Sequence, residues 1–284
     1  MAQAQPEGLT RRLLLGAGAA AAAASPARAA DPVRIEGRLV QGGYAFGHTN
    51  PGAEVFLNGE RVGLASRGGV FILGFDRDEA PTARLEVRHR GGVFTRTLAI
   101  ARGTFGVQRV DGVPQDTVTP TDPALLERIR REAEMKAEGY ASIAPTDDFA
   151  EGFRWPLDAF RISSRFGNQR ILNGVPNRPH YGIDLASPAG TPIKAAATGL
   201  VVLAHARMHF EGGLTLIDHG QGLVGAYLHQ SKILVKPGDR VLKGQRIGAV
   251  GMTGRATGPH LCWRLKWRGR NLDPSLLVAT PVPA

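Results

Sequence analysis

Apolar positions recur along this chain at two different spacings, and the change of spacing divides it. From Pro32 to about Val107, short apolar or alternating runs carry the pattern: Val33-Arg-Ile-Glu-Gly, Ala53-Glu-Val-Phe-Leu, Val70-Phe-Ile-Leu-Gly-Phe and Ala83-Arg-Leu-Glu-Val-Arg-His. They are separated by turn signals such as Asn58-Gly59 and Arg67-Gly68-Gly69, which predicts short strands joined by tight turns. A polar, Pro-bearing stretch from Gly112 to Pro120 follows. Asp122 can then cap a helix with Pro123 in its first turn. Leu126, Ile129, Ala133, Ala137 and Tyr140 return every three to four residues, and Glu127 stands four before Arg131, which predicts a helix over about 122–140 packed on one side. From Phe153 onward the strand pattern resumes in Gly199-Leu-Val-Val-Leu-Ala, Leu214-Thr-Leu-Ile-Asp-His, Leu223-Val-Gly-Ala-Tyr-Leu, Ile247-Gly-Ala-Val-Gly and His260-Leu-Cys-Trp-Arg-Leu-Lys-Trp. No helical periodicity interrupts these runs.

The expected architecture is therefore mainly β. It comprises a small N-terminal β-sandwich of the immunoglobulin-like kind over residues 30–110 and a linker over 111–150 that carries the helix. An all-β domain over 151–280 completes it. Composition agrees: of 284 residues, 43% are hydrophobic and only 6% aromatic, with 37 Gly and 19 Pro, which suits short strands and many turns.

The N-terminus changes the picture of where the chain works. Thr10-Arg11-Arg12 leads into an apolar stretch from Leu13 to Ala24, followed by Pro26-Ala27-Arg28-Ala29. A charged start, an apolar run too short for a membrane span and an Ala-x-Ala end predict a signal peptide over residues 1–29. Its Arg pair resembles a twin-arginine export signal, with an ordinary secretory signal as the alternative. Formal net charge is +10 from 35 basic and 25 acidic residues. Cleavage after Ala29 would remove three Arg and one Glu, leaving +8. An exported basic chain, periplasmic or attached to the cell envelope, is expected to meet an anionic wall polymer or membrane surface rather than nucleic acid, and the mature chain has no expected transmembrane span. The single cysteine, Cys262, excludes an internal disulfide, and a lone thiol in an oxidising compartment is expected to be buried or metal-bound.

The candidate chemistry lies in the last β region. His180 and Asp184 stand four apart across a Gly-containing turn, and imidazole and carboxylate are both good zinc donors. By spacing alone the pair says little. In the strand pattern of His260-Leu-Cys262, side chains two apart share a face, so an imidazole and a thiol converge; the bland alternative is a buried His beside a buried Cys. His229 closes the run Ala226-Tyr-Leu-His. His180, Asp184 and Cys262 would give three ligands and leave a fourth position open, as catalytic zinc requires. His48, His89, His205 and His209 read as surface or structural residues, and His219 as one packed near the sheet.

Four ordered blocks resemble the lysostaphin/LytM-type zinc metallopeptidases. They are His180-Tyr-Gly-Ile-Asp-Leu-Ala-Ser-Pro-Ala-Gly-Thr-Pro-Ile-Lys-Ala, Tyr227-Leu-His229-Gln-Ser, Val235-Lys-Pro-Gly-Asp-Arg-Val-Leu-Lys-Gly-Gln-Arg-Ile-Gly and Gly251-Met-Thr-Gly-Arg-Ala-Thr-Gly-Pro-His260-Leu-Cys-Trp. The segment Gly52-Ala-Glu-Val-Phe-Leu-Asn-Gly with Gly69-Val-Phe resembles immunoglobulin-like modules that begin some exported peptidases. The main resemblance implies an antiparallel sheet groove and one zinc ion per chain, held by His180, Asp184 and position 262. It implies His229 and His260 as the catalytic pair, and peptidoglycan stem peptides or cross-links as the substrate of an endopeptidase. Ser164-Arg-Phe-Gly167 resembles the family's groove-entry segment. The departure is Cys262, where the family has His. Thiolate binds zinc well, but two anionic ligands should polarise water less than one. Two alternatives remain: a weak or inactive regulator of this type that binds the wall and activates a wall amidase, and a wall-binding module with a structural metal.

Overall fold

The computed structural model describes residues 33–282; the expected signal peptide lies outside them. Strands form wherever the alternation placed them, and additional ones fill the intervals. In the N-terminal region, Arg34–Arg38, Tyr44–His48 and Val70–Gly74 make one antiparallel sheet. Glu60–Leu64, Glu54–Leu57, Thr82–His89 and Gly92–Ala99 make a second. On Thr82–His89 the inward residues Ala83, Leu85 and Val87 are buried while their neighbours face outward, which is the period-two pattern read from the sequence. They share a core with Val55, Leu57, Phe71 and Leu73 of the facing strands.

That core does not end with the sandwich. It runs on without a break through Phe149 and Trp155 to Leu185, Trp263 and Trp267 of the C-terminal region. Phe46 stacks on Phe149 with centroids 5.5 Å apart, and the Asp76 carboxylate accepts from the backbone N–H of Asn271 at 2.7 Å. The two β regions are thus one packed body.

The C-terminal region is built on an eight-stranded antiparallel sheet. Its path runs Arg240–Val241, Gly199–Met208, Gly212–Asp218, Leu223–Gln230, His260–Trp267, Ile183–Ala186 and Arg161–Ser164, with Arg270–Leu272 paired to His260–Trp267. Its two faces are covered differently. Tyr227, Trp263 and Leu265 point into the large core. Leu214, Leu216, Val224, Ala226, Leu228 and Cys262 form a smaller cluster, the one the helix packs against through Tyr140.

The helix spans Pro123–Tyr140. Asp122 caps it by accepting from the Leu125 N–H at 2.7 Å, with Pro123 in the first turn. The pair read from the sequence forms, Glu127 to Arg131 at 3.2 Å, and Arg130 joins it. Gly139 lets the helix approach closely, since a Cβ there would stand 2.8 Å from Leu216 Cδ1. Beyond the helix, the buried carboxylate of Asp218 accepts from Ser142 Oγ at 2.6 Å and from the Ala144 N–H at 2.7 Å, and its other oxygen accepts from the Gly220 N–H at 2.8 Å. This one carboxylate pins the end of the linker to the sheet. Asp218→Ala would strand three donors and is expected to destabilise the protein by about 2–3 kcal/mol, read as a lower urea midpoint with an unchanged slope.

Candidate metal centre

Register across three strands brings the candidate ligands together. Ile183–Ala186 pairs with His260–Trp267 so that Asp184 stands opposite Cys262 and Ala186 opposite His260. On its other side, His260–Trp267 pairs with Leu223–Gln230, with Leu228 opposite Cys262. The strand bearing Asp184 was not read from the sequence, where His180 and Asp184 were joined only by a turn. His180 lies just before that strand, and its backbone is clamped by the segment after Ser164. The Gly167 N–H donates to His180 O at 2.7 Å, and the His180 N–H donates to Asn168 O at 2.8 Å.

The three donor atoms converge. His180 Nε2 is 3.1 Å from Asp184 Oδ1 and 3.3 Å from Cys262 Sγ, and all three lie within 4.8 Å of one another. A tetrahedral zinc with bonds of about 2.0–2.3 Å would space its ligand atoms by roughly 3.3–3.7 Å. Each atom is free to turn inward because its neighbour is otherwise engaged. Asp184 Oδ2 accepts from Arg170 Nη2 at 2.7 Å, whereas the buried Oδ1 has no hydrogen-bond partner. Ser164 Oγ donates to Gln108 Oε1 and so accepts from His180 Nδ1–H at 2.9 Å. That fixes the tautomer and leaves the Nε2 lone pair facing the other two ligands. An orphaned buried carboxylate oxygen between an imidazole lone pair and a thiol fits a divalent metal.

Electrostatics point the same way. Burial pushes His180 down to about 4, so it stands neutral, as a ligand must. Burial raises the Asp184 carboxyl, but the positive charge beside it, with the Arg170 guanidinium in direct contact, outweighs this and holds the carboxyl well below its ordinary value. Burial pushes the Cys262 thiol up to about 12, against the pull of the Arg264 guanidinium, whose Nε lies 3.4 Å from Sγ. A metal would have to displace that proton, and Arg264 is placed to steady the resulting thiolate.

His229 reaches the site by an irregularity. Leu228 lies on the same face as Cys262, so regular alternation would send His229 to the opposite face. Instead His229 has φ of 63°, a left-handed conformation that turns its ring back beside His260, with centroids 4.7 Å apart. His229 Nδ1 donates to Thr253 O at 2.8 Å and His260 Nδ1 to Gly258 O at 2.8 Å, leaving both Nε2 atoms as acceptors toward the groove. His260 Nε2 is 3.8 Å from Asp184 Oδ1. Burial, then the neighbouring His260, push His229 down to about 3.

The remaining histidines stay out of the centre. His219 is buried, its Nδ1 donating to Thr198 O at 2.7 Å. His48, His89, His205 and His209 are partly exposed. Sequence reasoning missed Arg170, Arg264 and Gln108, and left Ser164 without a role. Their signal lay in register and contact rather than in any spacing along the chain.

A family model for peptidase family M23 matches residues 178–274, the stretch that carries all three candidate ligands. A Pseudomonas aeruginosa crystal structure assigned to peptidase M23 is 31% identical to this chain, with a TM-score of 0.67. The match covers 85% of this chain and 95% of that one. The chain belongs to peptidase family M23. Among curated M23-like relatives, the peptidoglycan DD-endopeptidase ShyA of Vibrio cholerae is 45% identical over 137 residues, 46% of this chain and 31% of its own length. The peptidoglycan DD-endopeptidase ShyC of the same organism is 43% identical over 123 residues, 43% of this chain and 28% of its own. The chain thus spans about a third of the length of these curated relatives. M23 is a metallopeptidase family, and His180, Asp184 and Cys262 stand within the matched stretch as candidate ligands.

The packing also explains Gly182. A Cβ there would meet Arg264 Cγ at 2.6 Å, Trp263 O at 2.8 Å and Cys262 Sγ at 3.3 Å. Gly182→Ala is therefore expected to push the Cys262 strand away and weaken divalent-metal affinity by at least about tenfold. Ser164→Ala, which frees the His180 ring, is expected to weaken it by about 10–100-fold. Competition against a chromophoric chelator reads both, and unchanged affinity in Ser164→Ala would remove Ser164 from the support of the site.

Proposed function

We propose that this protein is an exported zinc endopeptidase that hydrolyses peptide bonds in peptidoglycan stem peptides or cross-links. The observation that carries the reading is the convergence of His180 Nε2, Asp184 Oδ1 and Cys262 Sγ, with Asp184 Oδ1 buried and unpartnered. Zinc held by these three would supply Lewis acidity to a water and to the scissile carbonyl. His180, neutral and fixed by Ser164, presents its lone pair without competing protonation. His229 and His260 present two Nε2 acceptors on the same side of the sheet, placed to take a proton from the attacking water or return one to the leaving amine. Arg170 holds Asp184 in orientation, and Arg264 balances the second anionic ligand.

The relatives support the substrate class, since ShyA and ShyC are peptidoglycan DD-endopeptidases. The basic balance of the chain suits an anionic wall. The signal-like N-terminus supports export, and among the described residues no helix is long and apolar enough to cross a membrane. The catalytic part is residues 151–280, with residues 30–110 as an accessory module and 111–150 as the connection. A regulator that only binds the wall would be expected to have lost ligands. Here the one substituted position, Cys262, still carries a competent donor aimed at the other two, which favours the enzyme. A structural metal is disfavoured because three protein ligands leave a position open and two further histidines stand beside it.

Incubating the protein with purified sacculi and identifying released muropeptides by mass spectrometry tests the reading, with intact sacculi as the result that sinks it. Cys262→Ala is expected to lose stoichiometric zinc and activity, while Cys262→His retains zinc. His229→Ala and His260→Ala are expected to keep zinc in elemental analysis while losing about 10²–10⁴-fold in rate. Full zinc and full activity in Cys262→Ala would exclude the thiol as a ligand.

A further inference from the structure

A second cavity, of about 480 Å³, lies between the helix Pro123–Tyr140 and the sheet, bordered by His180. Six cationic side chains line it: Lys136, Arg170, Arg178, Arg255, Arg264 and Lys266. The one carboxylate in its lining, Glu211, is held by Lys136 at 2.6 Å, so those two charges cancel. Arg170 is matched by Asp184. The other four have no carboxylate partner among the described residues. Arg255 donates only to a backbone oxygen, Thr117 O at 3.0 Å, Arg264 reaches Cys262 Sγ, and Lys266 lies over the Tyr140 ring at 4.7 Å. Arg178 is exposed and, among the described residues, its side chain has no hydrogen-bond or ion-pair partner. Arg170 Nε is buried with no acceptor.

Such a set is unfavourable unless something anionic joins it. Burial and then the like charges of Arg170 and Arg264 push Arg255 down to about 10, and burial and Arg264 lower Lys266. Guanidinium forks with spare donors are suited to bidentate binding of an oxyanion. Arg170 and Arg255 also line the groove that holds Asp184, His229 and His260, so the two spaces share a wall. A ligand in the basic cavity can therefore be part of the same molecule whose peptide bond lies at the metal centre, and the anionic groups of a peptide are carboxylates.

We propose that this cavity is a substrate subsite that binds a free carboxylate of the peptide being cleaved, with the linker helix supplying one of its walls. The proposal rests on the peptidase reading of the adjoining site. It assigns specificity to Arg178 and Lys266, which touch neither the metal ligands nor His229 and His260. Glu211 Oε2, buried without a partner, is available to an N–H of the same ligand.

The test measures binding without turnover. The full chain, stripped of metal by chelator, is titrated by calorimetry with diacetyl-Lys-D-Ala-D-Ala as the free acid and as its C-terminal amide. The free acid is expected to bind at least about tenfold tighter. Arg178→Gln and Lys266→Gln are each expected to narrow that gap by at least about threefold, and the double variant to close it, at unchanged Tm. Equal affinity for acid and amide in the unmodified protein would overturn the proposal. So would a gap that survives in the double variant. Inorganic phosphate that binds while acid and amide remain equal would assign the cavity to another anion and overturn it as well. Because the titration needs neither metal nor cleavage, a protein that leaves sacculi intact would defeat the peptidase reading while leaving this result to stand or fall by itself.

Discussion

The pairing of Ile183–Ala186 with His260–Trp267 is the constraint on which the rest of this site depends. It places Asp184 and Cys262 opposite each other on two neighbouring strands, and a shift of one residue would turn one of them into the large core. The register is held from behind by Leu185, Trp263 and Leu265, all fully buried, so a slip would expose apolar surface and bury polar groups together. The close approach that results leaves no room for a side chain at Gly182. The convergence of the candidate ligands is thus set by the hydrophobic face of the sheet as much as by the polar residues on the other.

Around that frame the site is balanced by charge. A Cys262 thiolate would add a second anion to a buried cluster, and buried charge is tolerated only when paired. Arg170 and Arg264 supply the balance from either side, one on the carboxylate and one on the sulfur. The same two guanidinium groups border the basic cavity. The charge beside the candidate ligands and the charge that would receive a substrate carboxylate therefore belong to one continuous cationic wall. The helix Pro123–Tyr140 closes that wall through Ala133, Lys136, Ala137 and Tyr140.

His229 shows how a local conformation can matter more than a motif. Its left-handed backbone is uncommon for a residue with a side chain, and it is held by hydrogen bonds at both ends. The His229 N–H donates to Glu211 O at 2.8 Å, and the ring donates to Thr253 O. Without that turn, the ring would point into the core beneath the sheet rather than toward His260.

The sequence by itself determined a good deal here. Period-two alternation placed the main strands, and Asp122 with Pro123 placed the helix start, because side-chain burial and helix capping are local properties. The grouping of His180, Asp184, His229, His260 and Cys262 as candidates came from the resemblance carried by ordered blocks along the chain. Tertiary structure alone decided that the two β regions share one core, since Phe46 and Phe149, or Asp76 and Asn271, are far apart in the chain and meet only on folding. It alone supplied Ser164 and Gln108 behind His180, Arg170 behind Asp184 and Arg264 behind Cys262. Those partners are fixed by strand register and by distance in space, and neither leaves a regular spacing in a one-dimensional text.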